Sequence, residues 1–295
     1  MKPPITIEIE SANVTTRVWQ YGSTHESAKK IILVHGFRGD HHGLESLAQS
    51  LLELLNSDAY GEVTLLVPDL PGFGASGEFA GGHSLSAYGF WLKEFAQTVA
   101  PRGSLLVAHS FGTLVTAQAI FHGYDPLATA LINPISANAL SGSKVVLTKL
   151  VLAYYRAGRI LPKNLANALL ANGLIVRFMS EIMTKTRNRQ LRSWIHKQHS
   201  MYFSGYTSRR SLSEAFAASV SRTVTDFSGL MTQETAVIAG DLDDITPVHK
   251  QLELAKKLRR GSFYLVGGAG HLIHYEAPAE AAEIIVRHFQ QHLRA

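Results

Sequence analysis

The sequence predicts an α/β protein: a mostly parallel central sheet flanked by helices, with a helical segment inserted late in the sheet. Three observations carry this. The runs KIILVH (Lys30–His35), VTLLVP (Val63–Pro68) and GSLLVA (Gly103–Ala108) are apolar without alternation, as strands buried on both faces of a parallel sheet must be. Helical patterns separate these runs, and strand–helix alternation implies a sheet covered on both sides. That alternation then fails between Pro134 and Asp226, where helical patterns follow one another with no convincing buried strand.

Taken in order, Ile5–Glu10 and Val14–Trp19 read as an opening antiparallel pair. The first buried run is followed by a helical pattern over Leu44–Leu55, the second by one over Tyr88–Val99, and the third directly by Phe111–His122. Leu127–Asn133 returns as a strand. Thr235–Ala239 and Ser262–Val266 are later strands, each leading into a helical segment, and Ala279–Leu293 closes the chain as an amphipathic helix. The interrupting stretch is too long for one crossover. The expected organisation is a core of residues 1–133 and 226–295 with a helical cap, 134–225, inserted between two sheet strands.

Composition sets the class. A chain of 295 residues, 46% hydrophobic and 17% charged, can bury a substantial core. No run approaches the roughly 20 apolar residues of a membrane span, and MKPPITIEIE lacks the apolar run of a signal peptide. With no cysteine there is no disulfide framework and no thiolate chemistry. The expectation is a soluble, cytoplasmic protein. Charge is uneven: Ser141–Thr225 holds 14 Lys and Arg against two acids, Glu181 and Glu214, while the rest carries 14 against 21. The inserted segment therefore has a surface character of its own.

Residues that carry chemistry fall at strand ends. Ala108-His109-Ser110-Phe111-Gly112 joins the third buried run to the next helix. A serine on so sharp a turn projects its hydroxyl above the sheet edge, and small residues two before and two after leave room for it. A helix-capping serine is the plainer alternative. His35-Gly36-Phe37-Arg38-Gly39 ends the first run. Acyl transfer needs two backbone N–H groups aimed at the developing oxyanion; Phe111 and Phe37 are best placed to supply them, and His35 is expected to support the loop. Asp69-Leu70-Pro71-Gly72-Phe73-Gly74 forms a pocket wall, with Asp69 bracing it. The serine needs a base, and His271, in the glycine-rich loop Gly268-Ala269-Gly270-His271, is the best placed of 14 histidines. His41, His42 and His274 read as loop or pocket residues, and His109 should point away from the nucleophile. No metal-ligand spacing such as H-E-x-x-H appears, so no metal is expected. The base needs an acid to fix its tautomer, and Gly240-Asp241-Leu242-Asp243-Asp244 offers three aspartates. Asp241 suits a turn brace and Asp244 a cap for the helix near Pro247.

The blocks HGFRG, DLPGFGAS, AHSFG, GDLDDITP and GAGHLIHYEAP, in that order, resemble the α/β-hydrolase superfamily over roughly 30–133 and 226–295. Ala108 stands where that family usually has glycine. The resemblance implies a Ser…Asp…His order, and selects Asp243, three residues beyond the glycine ending its strand, as the acid. A serine at the nucleophile position separates the chain from the aspartate-bearing dehalogenases and epoxide hydrolases. It implies a serine hydrolase cleaving a carboxylic ester, thioester or lipid-like ester through an acyl-enzyme, with no metal or organic cofactor. A C–C bond hydrolase, an acyltransferase and a ligand-binding receptor on the same scaffold are the alternatives, with haloperoxidase-like activity as a side reaction. The partner expected is a small-molecule acyl substrate. The basic, partly apolar insert (Val145–Tyr155, Leu165–Met179) suits an anionic or lipid-like substrate, or peripheral contact with acidic lipid; a solvated basic face over a helical core is the plainer reading. Nucleic acid is not expected, since no binding motif accompanies the charge.

Overall fold

The first hairpin sets the sheet edge. Strands β1 (Ile5–Ser11) and β2 (Val14–Gly22) pair antiparallel with Ser11 opposite Val14. Ala12 and Asn13 turn the chain between them, both at positive φ, as the tightest hairpins require. A computed structural model describes residues 3–56, 59–138, 145–170 and 172–294 of the chain.

The remaining strands are β3 (Lys29–Val34), β4 (Val63–Pro68), β5 (Leu105–His109), β6 (Ala128–Ile132), β7 (Glu234–Gly240) and β8 (Gly261–Val266). They form one sheet in the order β1-β2-β4-β3-β5-β6-β7-β8. β2 meets β4 antiparallel; every later pairing is parallel. Successive strand residues face opposite sides, so Ile31 and Leu33 pack on one face and Ile32 and Val34 on the other. Helices α1 (Glu45–Leu55), α2 (Leu85–Val99) and α3 (Phe111–Phe121) come from the first half of the chain. α1 covers the Ile31 face; α2 and α3 cover the Ile32 face with Trp91, Phe95 and Leu114 fully buried.

Between β6 and β7 lie α4 (Val145–Ile160), α5 (Lys163–Leu170), α6 (Gly173–Met183), α7 (Arg189–Tyr202) and α8 (Arg209–Ser219), with no sheet strand among the described residues. The expected insert boundaries, 134–225, enclose residues 139–144 and 171, which lie outside the described residues, as do the side chains of 145–150 and 152 in the apolar stretch Val145–Tyr155 and of 167 and 168 in Leu165–Met179. After β7 come α9 (Val248–Lys257), then α10 (Ile273–Glu276), α11 (Pro278–His288) and α12 (Gln290–Arg294) beyond β8.

Strand ends shift from the sequence reading by up to three residues, as where β2 runs to Gly22 rather than Trp19, and three helical boundaries differ for local reasons. α2 starts at Leu85 rather than Tyr88, because Ser84 caps it by accepting the Ala87 N–H. Leu44 belongs to a 3-10 turn, His41–Leu44, that precedes α1. The closing helix is two helices, broken at Phe289, whose ring is fully buried in the core on the Ile31 face of the sheet.

Candidate active site

The carboxyl ends of β3, β5, β7 and β8 converge, which is where ligands bind in open parallel sheets. Ser110 follows β5 immediately and has φ 51° and ψ −116°, a conformation that side-chain-bearing residues rarely adopt. The strain persists because both of Ser110's own backbone groups are held: the Ser110 N–H donates to the Ile132 carbonyl at 3.1 Å, and Thr113 Oγ1 donates to the Ser110 carbonyl at 2.6 Å. Gly112 is required by space. A Cβ there would lie 2.4 Å from the Val34 carbonyl oxygen and 2.7 Å from that of His35. Ala108, 1% exposed, is accommodated within β5.

His271 Nε2 lies 2.9 Å from Ser110 Oγ, and His271 Nδ1 lies 3.0 Å from Asp243 Oδ2. A carboxylate only accepts, so Nδ1 carries the proton and Nε2 turns its lone pair to the serine hydroxyl. Of the three aspartates after β7, Asp243 is the one that reaches His271. Its carboxylate also accepts from the Ile245 N–H (2.7 Å), the Thr246 N–H (3.1 Å) and the Thr246 hydroxyl (2.5 Å). Burial opposes ionisation of Asp243, but the facing imidazole and these donors outweigh it and hold the carboxyl below its ordinary range. Asp241 is exposed. Asp244 does not cap α9, which starts at Val248 after an uncapped Pro247; Asp244 instead accepts from Lys185 Nζ at 2.6 Å.

The other residues singled out from the sequence fall as follows. Gly36 packs against Ser110: a Cβ on it would lie 3.2 Å from Ser110 Cβ. That close approach sets Phe37 beside the serine, and Phe37 and Phe111 both line the same cavity as Ser110. His35 supports the loop, donating from Nδ1 to the Gly36 carbonyl and accepting the Leu70 N–H at Nε2, both at 2.8 Å. Asp69 braces its turn by accepting the N–H groups of His41 and Ala75, each at 2.7 Å. His109 points under the site, donating from Nε2 to the His271 carbonyl at 2.9 Å.

Ser110 and His271 open onto a cavity of about 860 Å³. Met179, Met183, Tyr202 and Phe216 of the inserted helices and Ile245 and Leu272 of the core loops line it, so its wall is largely apolar. Beneath and beside it lie buried imidazoles. His109 is 4.1 Å from His274 and 5.1 Å from His271, ring to ring, and His199 Nδ1 bonds Ser180 Oγ at 2.7 Å. Burial pushes His109 down to about 3 and His199 to about 4, and drives His274 well below the usual range, so all three are neutral. Asp40, His41 and His42 hold metal-type donor atoms within 4.8 Å of one another. Their Nδ1 atoms are engaged by Asp69 (His41) and Asp40 (His42), and their rings continue a stack from Trp19 to Tyr202. That stack joins β2 to α7.

Three contributors escape sequence reasoning. Asn133, fully buried at the end of β6, donates to the carbonyls of Gly270 and His271 (both 3.0 Å) and accepts the Gly240 N–H (2.9 Å). It thereby locks the histidine loop to the aspartate strand. The available signal was a polar residue closing an apolar strand. Glu276 accepts the Gly270 N–H (2.7 Å) with one oxygen and the N–H groups of Lys185 (2.5 Å) and Thr186 (2.6 Å) with the other. Arg38 is buried and reaches into the inserted helices.

This sheet order, with a strained serine after β5 and its hydrogen-bonded histidine and aspartate on loops after β8 and β7, is the architecture of a hydrolase. The chain belongs to the alpha/beta hydrolase family, whose model matches residues 31–284. Solved structures share the fold at low identity. An esterase from Exiguobacterium antarcticum is 15% identical with a TM-score of 0.76, over 99% of this chain and 100% of that one. A thermophilic esterase from Thermogutta terrifontis is 20% identical at 0.73, over 99% and 100%. The 2-hydroxy-6-oxo-6-phenylhexa-2,4-dienoate hydrolase of Rhodococcus sp. strain RHA1 is 17% identical at 0.74, over 97% and 99%. No curated protein matches the sequence significantly. Among the described residues no helix is long and apolar enough to cross a membrane.

Proposed function

We propose that the chain is a serine esterase acting on carboxylic esters, thioesters or lipid-like esters with an apolar acyl group. The observation that carries this is the series Ser110 Oγ–His271 Nε2–Asp243, with both links at hydrogen-bond distance. Ser110 Oγ attacks the acyl carbonyl as His271 Nε2 takes its proton, and Asp243 stabilises the imidazolium. The N–H groups of Phe37 and Phe111 hold the oxyanion. His271 returns the proton to the departing alcohol or thiol, and water activated by the same imidazole then releases the acid from Ser110. The helices of 134–225 act as a cap that shapes the acyl pocket.

C–C bond hydrolysis is the second reading, since one of the structures that share the fold is a dienoate hydrolase at a TM-score of 0.74. Lipid-like substrates are favoured by the outer face of α6 and α7, where Leu174 (81% exposed) and Phe178 (60% exposed) flank Arg177, and Trp194 and Met201 flank Lys197. Apolar side chains among cations suit contact with an anionic bilayer. The deciding assay uses p-nitrophenyl esters of increasing acyl length with a fluorophosphonate label. Wild type should turn over and be labelled at Ser110, and Ser110→Ala should do neither. Turnover that survives Ser110→Ala would sink the proposal, as would activity confined to vinylogous diketones. Failure of vesicles rich in phosphatidylserine to retain the protein at low salt would end the surface reading.

A further inference from the structure

Arg38 is a cation in the wrong kind of place unless it has a task. It is 1% exposed, and among the described residues no carboxylate pairs with it. An unpaired buried charge is costly, so its compensation is informative. Nε donates to the Phe203 carbonyl and Nη2 to the Leu170 carbonyl, both at 3.0 Å. Nη1 meets the hydroxyls of Tyr154 and Tyr155, and Nη2 the hydroxyl of Ser204, each at 3.4 Å. Leu170 ends α5 and Phe203 caps the end of α7. The last carbonyls of a helix lack intrahelical partners and carry roughly half a negative charge per helix. Two helix ends thus converge on one guanidinium, with α4 supplying the phenols, and together they neutralise it without an ion pair.

The same residue has a strained backbone, φ 63°, directly after Phe37. The Phe37 ring lies edge-on to Tyr155 at 5.5 Å and tilted against Phe216 at 5.6 Å, so side chains of the inserted helices contact both residues of this turn. The turn is the loop whose N–H the proposed function assigns to the oxyanion.

We propose that Arg38 is a positioning residue that couples the oxyanion loop to the seating of α4, α5 and α7. Its guanidinium pins the three helices to the loop, and their seating in turn holds the strained turn that aims the Phe37 N–H. The kinetic side of this rests on the serine-esterase reading; the structural side does not.

The test compares wild type, Arg38→Met, Arg38→Lys and a control, Arg209→Met. Arg209 also bonds a helix-end carbonyl of the insert, Leu161, at 3.1 Å, but stands outside the loop. Hydrogen exchange by mass spectrometry on the full chain needs no substrate. Arg38→Met should speed exchange by about tenfold in peptides covering both 36–40 and 154–170, and the control should leave 36–40 unchanged. On the best ester, Arg38→Met should lower kcat by about 10²-fold with KM within about threefold, as loss of one oxyanion donor does. Affinity for an alkyl boronic acid, which forms a tetrahedral adduct on serine, should fall by the same factor as kcat. Lysine, a point charge that cannot span two carbonyls and two phenols, should restore less than about a tenth of the loss. If Arg38→Met does not fold, Arg38→Lys is read the same way. Wild-type exchange at 36–40, wild-type kcat in a folded variant, or an equal kcat loss in Arg209→Met would each overturn the proposal. Absence of ester turnover and of Ser110 labelling in wild type would instead refute the esterase reading and leave the exchange result to decide Arg38.

Discussion

Lowering the pH should unfold this protein earlier than its carboxylates alone would require. His109 and His199 are buried neutral, pushed by burial to about 3 and about 4, against 6.5 for a free imidazole. In the unfolded chain each takes a proton as pH falls through 6.5; in the folded chain neither does until far lower. Folded-state depression of a histidine therefore gives stability that is present above pH 6.5 and lost as pH falls from there toward the folded value. Between pH 6.5 and 5 each such group costs about 1.6 kcal/mol, so the pair costs about 3 kcal/mol, a sizeable share of a typical 5–15 kcal/mol. His274 and His35, both buried and lowered by burial, act in the same direction. Two other groups do not interfere in this window. The raised His42, which Asp40 holds protonated against the cost of its burial, contributes stability lost only as pH rises above 6.5. The lowered carboxyl of Asp243 matters only below about pH 4. The assay is urea unfolding at pH 7.5, 6.0 and 5.0 for wild type and His199→Gln. Stability should fall by several kcal/mol across the series, and the variant should show a slope shallower by about 1.2 kcal/mol per pH unit near pH 5. A flat profile from 7.5 to 5.0, or an undiminished slope in the variant, would refute the reasoning.

Asp243→Asn should keep the fold, with Tm within a few degrees, but cut kcat on esters by about 10⁴, because an amide facing Nδ1 can select the wrong imidazole tautomer. Asn133→Ala removes the partners of the Gly240 N–H and the Gly270 carbonyl. Thermal unfolding should show a loss of about 2–6 kcal/mol, at 1–3 kcal/mol for each of the two orphaned buried groups. Gly112→Ala forces a methyl to 2.4 Å from a main-chain oxygen of β3. It should leave soluble protein, if any, that a fluorophosphonate does not label, whereas Ala108→Gly should be labelled at a rate within about threefold of wild type, since glycine fits the same turn.

What could be read in advance follows from how local each signal is. The buried strands were legible because a strand covered on both faces must be apolar at every position, and Ile31–Val34 and Leu105–Ala108 are. Ser110 and His271 were legible because strained or reaching conformations demand small neighbours in sequence, and Gly112 and Gly270 supply them. Asp243 was not separable from Asp241 and Asp244 by local reasoning, since turn aspartates look alike; only the fold brings one of them to His271. The partners of Arg38, Asn133 and Glu276 were illegible for a stronger reason. They lie on elements remote in sequence, such as Leu170 and Phe203 for Arg38, and no local pattern encodes such a meeting. Helix breaks such as Phe289 depend in the same way on what the side chain finds beneath it.

The carboxylate of Glu276 has a consequence for how such enzymes diverge. It serves two masters, the peptide of Gly270 before the histidine and the peptides of Lys185 and Thr186 that follow α6. Helices between β6 and β7 look like an exchangeable cassette, since they enter and leave at neighbouring strands. They are not free to be traded. A foreign segment grafted at those points would bring its own chain to the place of Lys185 and Thr186, and unless it offered two N–H groups there, one oxygen of Glu276 would lose its partners next to the loop that carries His271. Drift in the insert must therefore proceed around that short stretch, which ties the history of the inserted helices to that of the loop bearing His271.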